Sequence, residues 1–303
     1  MNTLHDRQFT WRLRVILKNY KINGESFMNE HRLSTKFKRM KKAIAFIAAA
    51  MVFASCSNNE EIKNDLEGKN DVVIEFDNGF KNDKLILGST YTNGNGEILT
   101  INSFDYIVSN FVLVTDEGKE VVYPKDHGYF IISEGGNGKT KNVEISLKDV
   151  PAGKYTKVKF GIGVDRERFL QGQAAQEDFW TIAENYNMTW SWQAGYKFVV
   201  LEGNYKANAQ ETEDIFMLHI ASRGSSGDDL YREVELPMDL AIVSAEKSPQ
   251  LHVKVDANVM LDGQEKIKLV DQSTIMGGPN ALKIADNCKG MFMVHHVHNG
   301  NHH

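Results

Sequence analysis

From Asp71 onward the chain is a series of short apolar segments with period-two alternation, each closed by a turn signal, a pattern that fits a β-sandwich better than any other layer architecture. The series opens at residues 72–76. Asn93-Gly94-Asn95-Gly96, flanked by residues 85–87 and 97–101, is a strong hairpin signal. Strands are predicted next at 104–114, 120–123, 129–133, 142–147 and 157–161. The second half adds 189–201, 214–220, 231–236, 240–243, 251–259 and 291–298. Helix is predicted only at 173–186 and at 279–288, where Pro279 occupies a first turn that tolerates it. No repeat and no second composition regime interrupts this pattern. Residues 71–303 therefore read as one all-β sandwich domain with short helical insertions. The connection from Gly163 to Met188 is long for a sandwich, and connections of that length more often carry function than architecture.

The chain of 303 residues is 42% hydrophobic and 25% charged, with a net charge of −5, which suits a globular domain and gives no reason to expect a nucleic-acid partner. Positions 1–42 are enriched in Lys and Arg, holding 11 of the 35, and this basic segment ends at the apolar run AIAFIAAAMVFA, residues 43–54. That run is too short to span a bilayer and fits the apolar core of a secretory signal. With Met40, Lys41 and Lys42 before it, residues 40–55 read as a signal peptide, and residues 1–39 as an upstream extension from a mis-called start. Phe53-Ala54-Ser55-Cys56 resembles a lipoprotein lipobox, in which Cys56 becomes the acylated first residue; several acyl chains hold a protein stably to a membrane. The competing reading is an ordinary signal peptide with Cys56 a plain thiol. Residues 56–70, polar and acidic, then form a disordered tether. The expected product is an exported lipoprotein anchored to the outer membrane, facing the periplasm or the cell surface. Cys288, the only other cysteine, is then left without a disulfide partner and is expected to be buried and inert in a short helix.

Several catalytic signatures fail on spacing. Residues 134–140 end in Gly-Lys-Thr, but Ser133 stands where a P-loop needs its first glycine. Gly161-Ile162-Gly163 meets Arg166 where a dinucleotide fingerprint needs its third glycine. Residues 93–97 resemble the start of a calcium loop and lack its later acidic ligands. There is no Gly-x-Ser-x-Gly elbow and no His-Glu-x-x-His pair. The chain reads as a protein without enzymatic activity.

Two stretches carry residues suited to binding chemistry. In NMTWSWQAGYKF, residues 187–198, an extended chain places Met188, Trp190, Trp192, Tyr196 and Phe198 on one face, which is either a core face or a site. In MFMVHHVHNGNHH, residues 291–303, a strand places His296 and His298 on one face at chelating spacing for copper, zinc or nickel; a frayed polar tail is the competing reading, above all for His302 and His303. His219 lies within Phe216-Met217-Leu218-His219-Ile220, where a satisfied core histidine competes with a ligand. His127, in a turn after Pro124, reads most simply as an exposed loop residue.

Five pieces taken in order resemble the family of secreted copper-binding proteins named for the methanobactin-operon protein MbnP. They are residues 104–113 (FDYIVSNFVL), 150–155 (VPAGKY) leading into 160–165 (FGIGVD), 188–198 with Leu201-Glu202-Gly203, and Phe216-Met217-Leu218-His219. The resemblance implies a β-sandwich that binds one copper ion outside the cytoplasm. It also implies a di-haem cytochrome c peroxidase-like partner that oxidises a tryptophan to kynurenine, a group that joins histidines at the copper. Trp190 and Trp192 are the candidates for that modification, without a choice between them. Tryptophan offers a metal no usable lone pair, whereas the aryl amine and carbonyl of kynurenine do. The insertion at residues 166–187 contains no histidine, so the expected ligands are drawn from His127, His219, His296 and His298. A second reading is a surface lipoprotein that binds glycan or protein through exposed Trp180, Trp190 or Trp192 without metal.

Overall fold

The computed structural model describes residues 66–221 and 228–300. The expected signal peptide, Cys56 and most of the tether lie outside the described residues, as do His302 and His303.

Two sheets face each other, as the alternation predicts. The five-stranded sheet runs β14 (Phe292–His298), β12 (Gln250–Asp256), β1 (Lys69–Phe80) and β2 (Asp83–Lys84), with β7 (Glu144–Pro151) also paired to β1. The nine-stranded sheet runs β11 (Arg232–Val243), β8 (Gly153–Ile162), β4 (Ile98–Thr115), β9 (Lys197–Lys206), β10 (Asp214–Ala221) and β13 (Thr274–Ile275). β3 (Thr90–Thr92), β5 (Glu120–Val122) and β6 (Tyr129–Ser133) pair with β4 off that path. On β1, Val72, Ile74 and Phe76 are buried while Glu75 and Asp77 face out, the period-two signature of a half-buried strand. The ring of Phe76 meets Tyr106, Phe160 and Phe292 edge-on at 6.0, 6.2 and 6.4 Å. Two of these four rings come from each sheet, so this cluster joins the layers and pins β14 by its first residue.

Several predicted elements change their bounds for identifiable reasons. Segments 97–101 and 104–114 fuse into β4, and 231–236 and 240–243 fuse into β11. Irregular pairing at Ile101/Ser103 in β4 and at Pro237/Ala241 in β11 lets each strand continue through what reads as a break. The Asn93–Gly96 hairpin forms, but its first strand is β3 rather than 85–87: the Asn93 amide donates to the Glu97 carbonyl at 3.0 Å, and Gly96 takes φ 85°. The helix predicted at 173–186 is a 3-10 turn at Gln173–Gln176 followed by α2 (Glu177–Asn185), preceded by the short α1 (Arg166–Leu170). α3 (Pro279–Cys288) has the predicted bounds, and Cys288 is buried at its end, where desolvation pushes the thiol up to about 12. The P-loop-like stretch is a connection between β6 and β7, and its Lys139 ammonium pairs with the buried Asp105 carboxylate.

The largest departure falls on the tryptophan stretch. The strand expected at 189–201 begins only at Lys197, because the chain first turns back on itself. Lys197 donates its amide to Met188 at 2.8 Å and Trp190 to Gly195 at 3.1 Å, while Ala194 and Gly195 both donate to Ser191 at 2.9 Å. Gly195, at φ 84°, supplies the backbone conformation this turn needs. Trp190 and Trp192 therefore sit on a tight hairpin, and strand alternation does not decide where their rings go.

Candidate metal centre

The two tryptophans find different surroundings. Trp192 lies flat on Phe169 at 4.8 Å and meets Trp180 edge-on at 5.0 Å, so it locks the hairpin to α1 and α2. Trp180 is itself buried and donates its indole N–H to Glu184 at 2.6 Å. Trp190 is half-buried and lies beside His219, with ring centroids 6.2 Å apart and the Lys197 ammonium 6.0 Å from its ring.

His219 is placed by β10, whose Phe216, Leu218 and Ile220 fill the core while Met217 and His219 turn to the outer face of the nine-stranded sheet. On the neighbouring β9, Glu202 is opposite Met217. The Glu202 carboxylate lies 2.6 Å from His219 Nε2. The hydrogen bond from His219 is the chief reason this carboxyl is held below the ordinary glutamate range; burial opposes it, and Lys197 and Lys139 assist. An ionised carboxylate only accepts, so Nε2 carries the hydrogen, and in the neutral imidazole Nδ1 is then the nitrogen with the free lone pair. That Nδ1 is buried and has no hydrogen-bond partner. A buried nitrogen left open in this way calls for an explanation, and a bound ion is one of the few available. The pairing is also the one that metal-bound histidines use, in which a carboxylate fixes the tautomer and raises the basicity of the other nitrogen. Next to it, a cavity of about 160 Å³ is lined in part by Ser103, Lys139, Asn187 and Glu202. Burial also lowers the pKa of the Lys197 ammonium, partly offset by Glu202.

The remaining candidates lie elsewhere. His296 and His298 stand on β14 of the other sheet, so the expected single site splits in two. They converge with His252 of β12, which the sequence reading did not single out, and one ligand nitrogen from each lies within 4.8 Å of the others. Desolvation and the neighbouring His252, His298 and His295 hold the pKa of His296 down. His127 is exposed at the end of the 3-10 turn Lys125–His127 and joins neither group. His252 was legible only as an outward position, since Leu251, Val253 and Val255 alternate with it into the core. Its pairing opposite His296 is a matter of tertiary register that local pattern does not carry.

The family model described as MbnP matches residues 69–277. Among solved structures, MbnP from Methylosinus trichosporium is similar at 17% identity, with a TM-score of 0.42, over 69% of this chain and 81% of that one. No curated protein is matched.

Proposed function

The chain belongs to the MbnP family, and from that premise we propose that it is an exported, lipid-anchored, non-enzymatic protein that binds copper beside Trp190 and His219. One observation carries the reading: His219 holds a buried, unpartnered Nδ1 beside a tryptophan, with its tautomer set by Glu202. That is one imidazole donor, suited to copper, on a rigid strand. Kynurenine formed from Trp190 adds an aryl amine and a carbonyl to the donor set. The pyrrole ring opens between C2 and C3 as two oxygen atoms enter, one from each of two equivalents of hydrogen peroxide that leave as water at a di-haem peroxidase-like partner, and hydrolysis then releases C2 as formate. Trp190 rather than Trp192 is the residue modified, because Trp192 is committed to the packing of α1 and α2. The anchor at Cys56 keeps the site outside the cytoplasm. The alternative, a surface lipoprotein that binds glycan or protein without metal, is less well supported, since Trp180 is buried and Trp190 and Trp192 are half-buried rather than exposed.

The test is the intact mass of the peptide containing Trp190 and Trp192, from protein purified out of its native membrane, together with its copper content. Kynurenine adds about four mass units, one carbon lost and one oxygen gained. The expected result is that shift on Trp190, with copper that H219A removes. An unmodified Trp190 together with copper binding that ignores H219A overturns the reading.

A further inference from the structure

On the outer face of the five-stranded sheet, four of the chain's ten histidines gather in one patch. The cause is a β-bulge. In the pairing of β12 with β14, His252 stands opposite His296 but the next residue, Val253, stands opposite Val294, so His295 is an extra residue without a partner. Without the bulge, the alternation begun by Phe292 and Val294 turns His296 and His298 into the core and Val297 out. With it, Val297 packs on the core, and Met293, His295, His296 and His298 face outward. The bulge thus re-aims two histidines, His296 and His298, toward His252, beside the already outward His295.

The resulting geometry suits a cation. His296 Nε2 and His298 Nε2 are 3.1 Å apart, and the His252 ring stacks on that of His296 at 4.2 Å and meets that of His298 edge-on at 5.2 Å. Two nitrogens on one ion at about 2.0–2.1 Å each lie roughly 3 Å from one another. His252 is oriented from behind. Its Nδ1 lies 2.9 Å from the Glu75 carboxylate, so Nδ1–H donates there and Nε2 keeps its lone pair for the patch. Glu75 is in turn opposite Glu144, which makes a row of Glu144, Glu75, His252 and His296 across four strands, with acidic charge behind the imidazoles. His295 stands beside the group, its Nδ1 2.6 Å from His296 Nδ1. None of these rings is needed by the core. The strand that supplies His295, His296 and His298 lies at the edge of its sheet and beyond the residues matched to the family.

We propose that His252, His296 and His298 form a second metal site, separate from Trp190 and His219, which binds a borderline divalent cation through three imidazole nitrogens. Copper(II) is its tightest ligand among first-row ions and zinc(II) the next candidate. Three protein ligands leave at least one coordination position open to solvent. That suits an ion taken up from or passed to another molecule, in contrast to the closed donor shell of a structural metal.

The experiment titrates the full-length, chelator-stripped protein with copper(II) alone and then zinc(II) alone. Stoichiometry and affinity are read by calorimetry, and nitrogen ligation by electron paramagnetic resonance of the copper form. The expected result is, beside any copper that H219A removes, one further copper(II) with several nitrogen ligands, bound at least 100-fold more weakly in H296A/H298A and unaffected by W190F, H219A or H302A/H303A. His296 and His298 face outward, so folding is retained in H296A/H298A; E75Q, which keeps every ligand, weakens binding about 10–100-fold. Binding unchanged in H296A/H298A overturns the proposal. So does a signal that disappears with H302A/H303A, which assigns it to the tail, or one that disappears only with H219A, which assigns it to the other site.

Discussion

The two histidine groups solve the same problem with opposite nitrogens and in opposite surroundings. On the nine-stranded sheet, Glu202 takes the Nε2–H of His219 and leaves Nδ1 open in a buried position. On the five-stranded sheet, Glu75 takes the Nδ1–H of His252 and leaves Nε2 open toward two further histidines in water. Burial makes a single open nitrogen costly, about 1–3 kcal/mol when it stays unsatisfied, so one such group is informative. Exposure makes each open nitrogen nearly free, so there only the convergence of several argues for an ion. The first group is therefore recognised by what it lacks, the second by what it assembles.

The strongest way to separate the groups is to loosen one sheet. Phe292 anchors β14 against Phe76, Tyr106 and Phe160, whereas β10 is built on β9. F292A is expected to lower stability by about 3–5 kcal/mol, as large-to-small changes of buried aromatics do, measured by urea unfolding. In the fraction that stays folded, copper affinity at His252, His296 and His298 falls while the environment of His219 holds. Equal loss at both groups would break the comparison and make the sandwich one mechanical unit.

A smaller effect probes the buried group alone. E202A leaves both nitrogens of His219 without a partner and is expected to cost about 1–3 kcal/mol, read by chemical or thermal unfolding. E202Q keeps an acceptor for Nε2–H and loses less. The Glu202 carboxyl is lowered in the folded state, chiefly by the His219 hydrogen bond, so the unfolded chain takes up its proton more readily. Its stabilisation is present above the ordinary glutamate value of about 4.3 and is lost as pH falls through the lowered value. The stability curves of wild type and E202Q therefore converge in acid. On the exposed side, E75Q changes metal affinity and hardly touches stability, because a pair facing water contributes only about 0–1 kcal/mol.

What the sequence made legible follows the same division. Period-two alternation is local, and it placed most of the strands and set His219 on the face of β10 opposite Phe216, Leu218 and Ile220, without deciding between a core histidine and a ligand. Spacing placed His296 and His298 on one face. It could not place His252 beside them, because that contact depends on register between strands separated by α3 and the connections around it. Nor could it show the bulge at His295, whose cause is a conflict between the inward Val294 and the inward Val297 three residues later. The tryptophan strand failed for a related reason. Trp190 and Trp192 alternate like strand residues, but the backbone bonds of Ser191 to Ala194 and Gly195 close a turn between them. A turn inside an aromatic run is visible only once the hydrogen bonds are known.

His127 supplies the smallest expected effect, and the control that the comparison needs. It is a histidine of the same domain, on a turn between β5 and β6, with neither a carboxylate fixing its tautomer nor a second imidazole within ligand distance among the described residues. If orientation by a carboxylate, or convergence of several nitrogens, is what makes a histidine a ligand in this fold, H127A leaves copper stoichiometry and affinity unchanged. Unfolding should likewise shift by no more than about 0.5 kcal/mol, the range of an exposed substitution. Loss of copper in H127A, measured in the same titration, would mean that the loop closes onto one of the two groups in solution. Ligation would then depend on a contact that neither sheet provides.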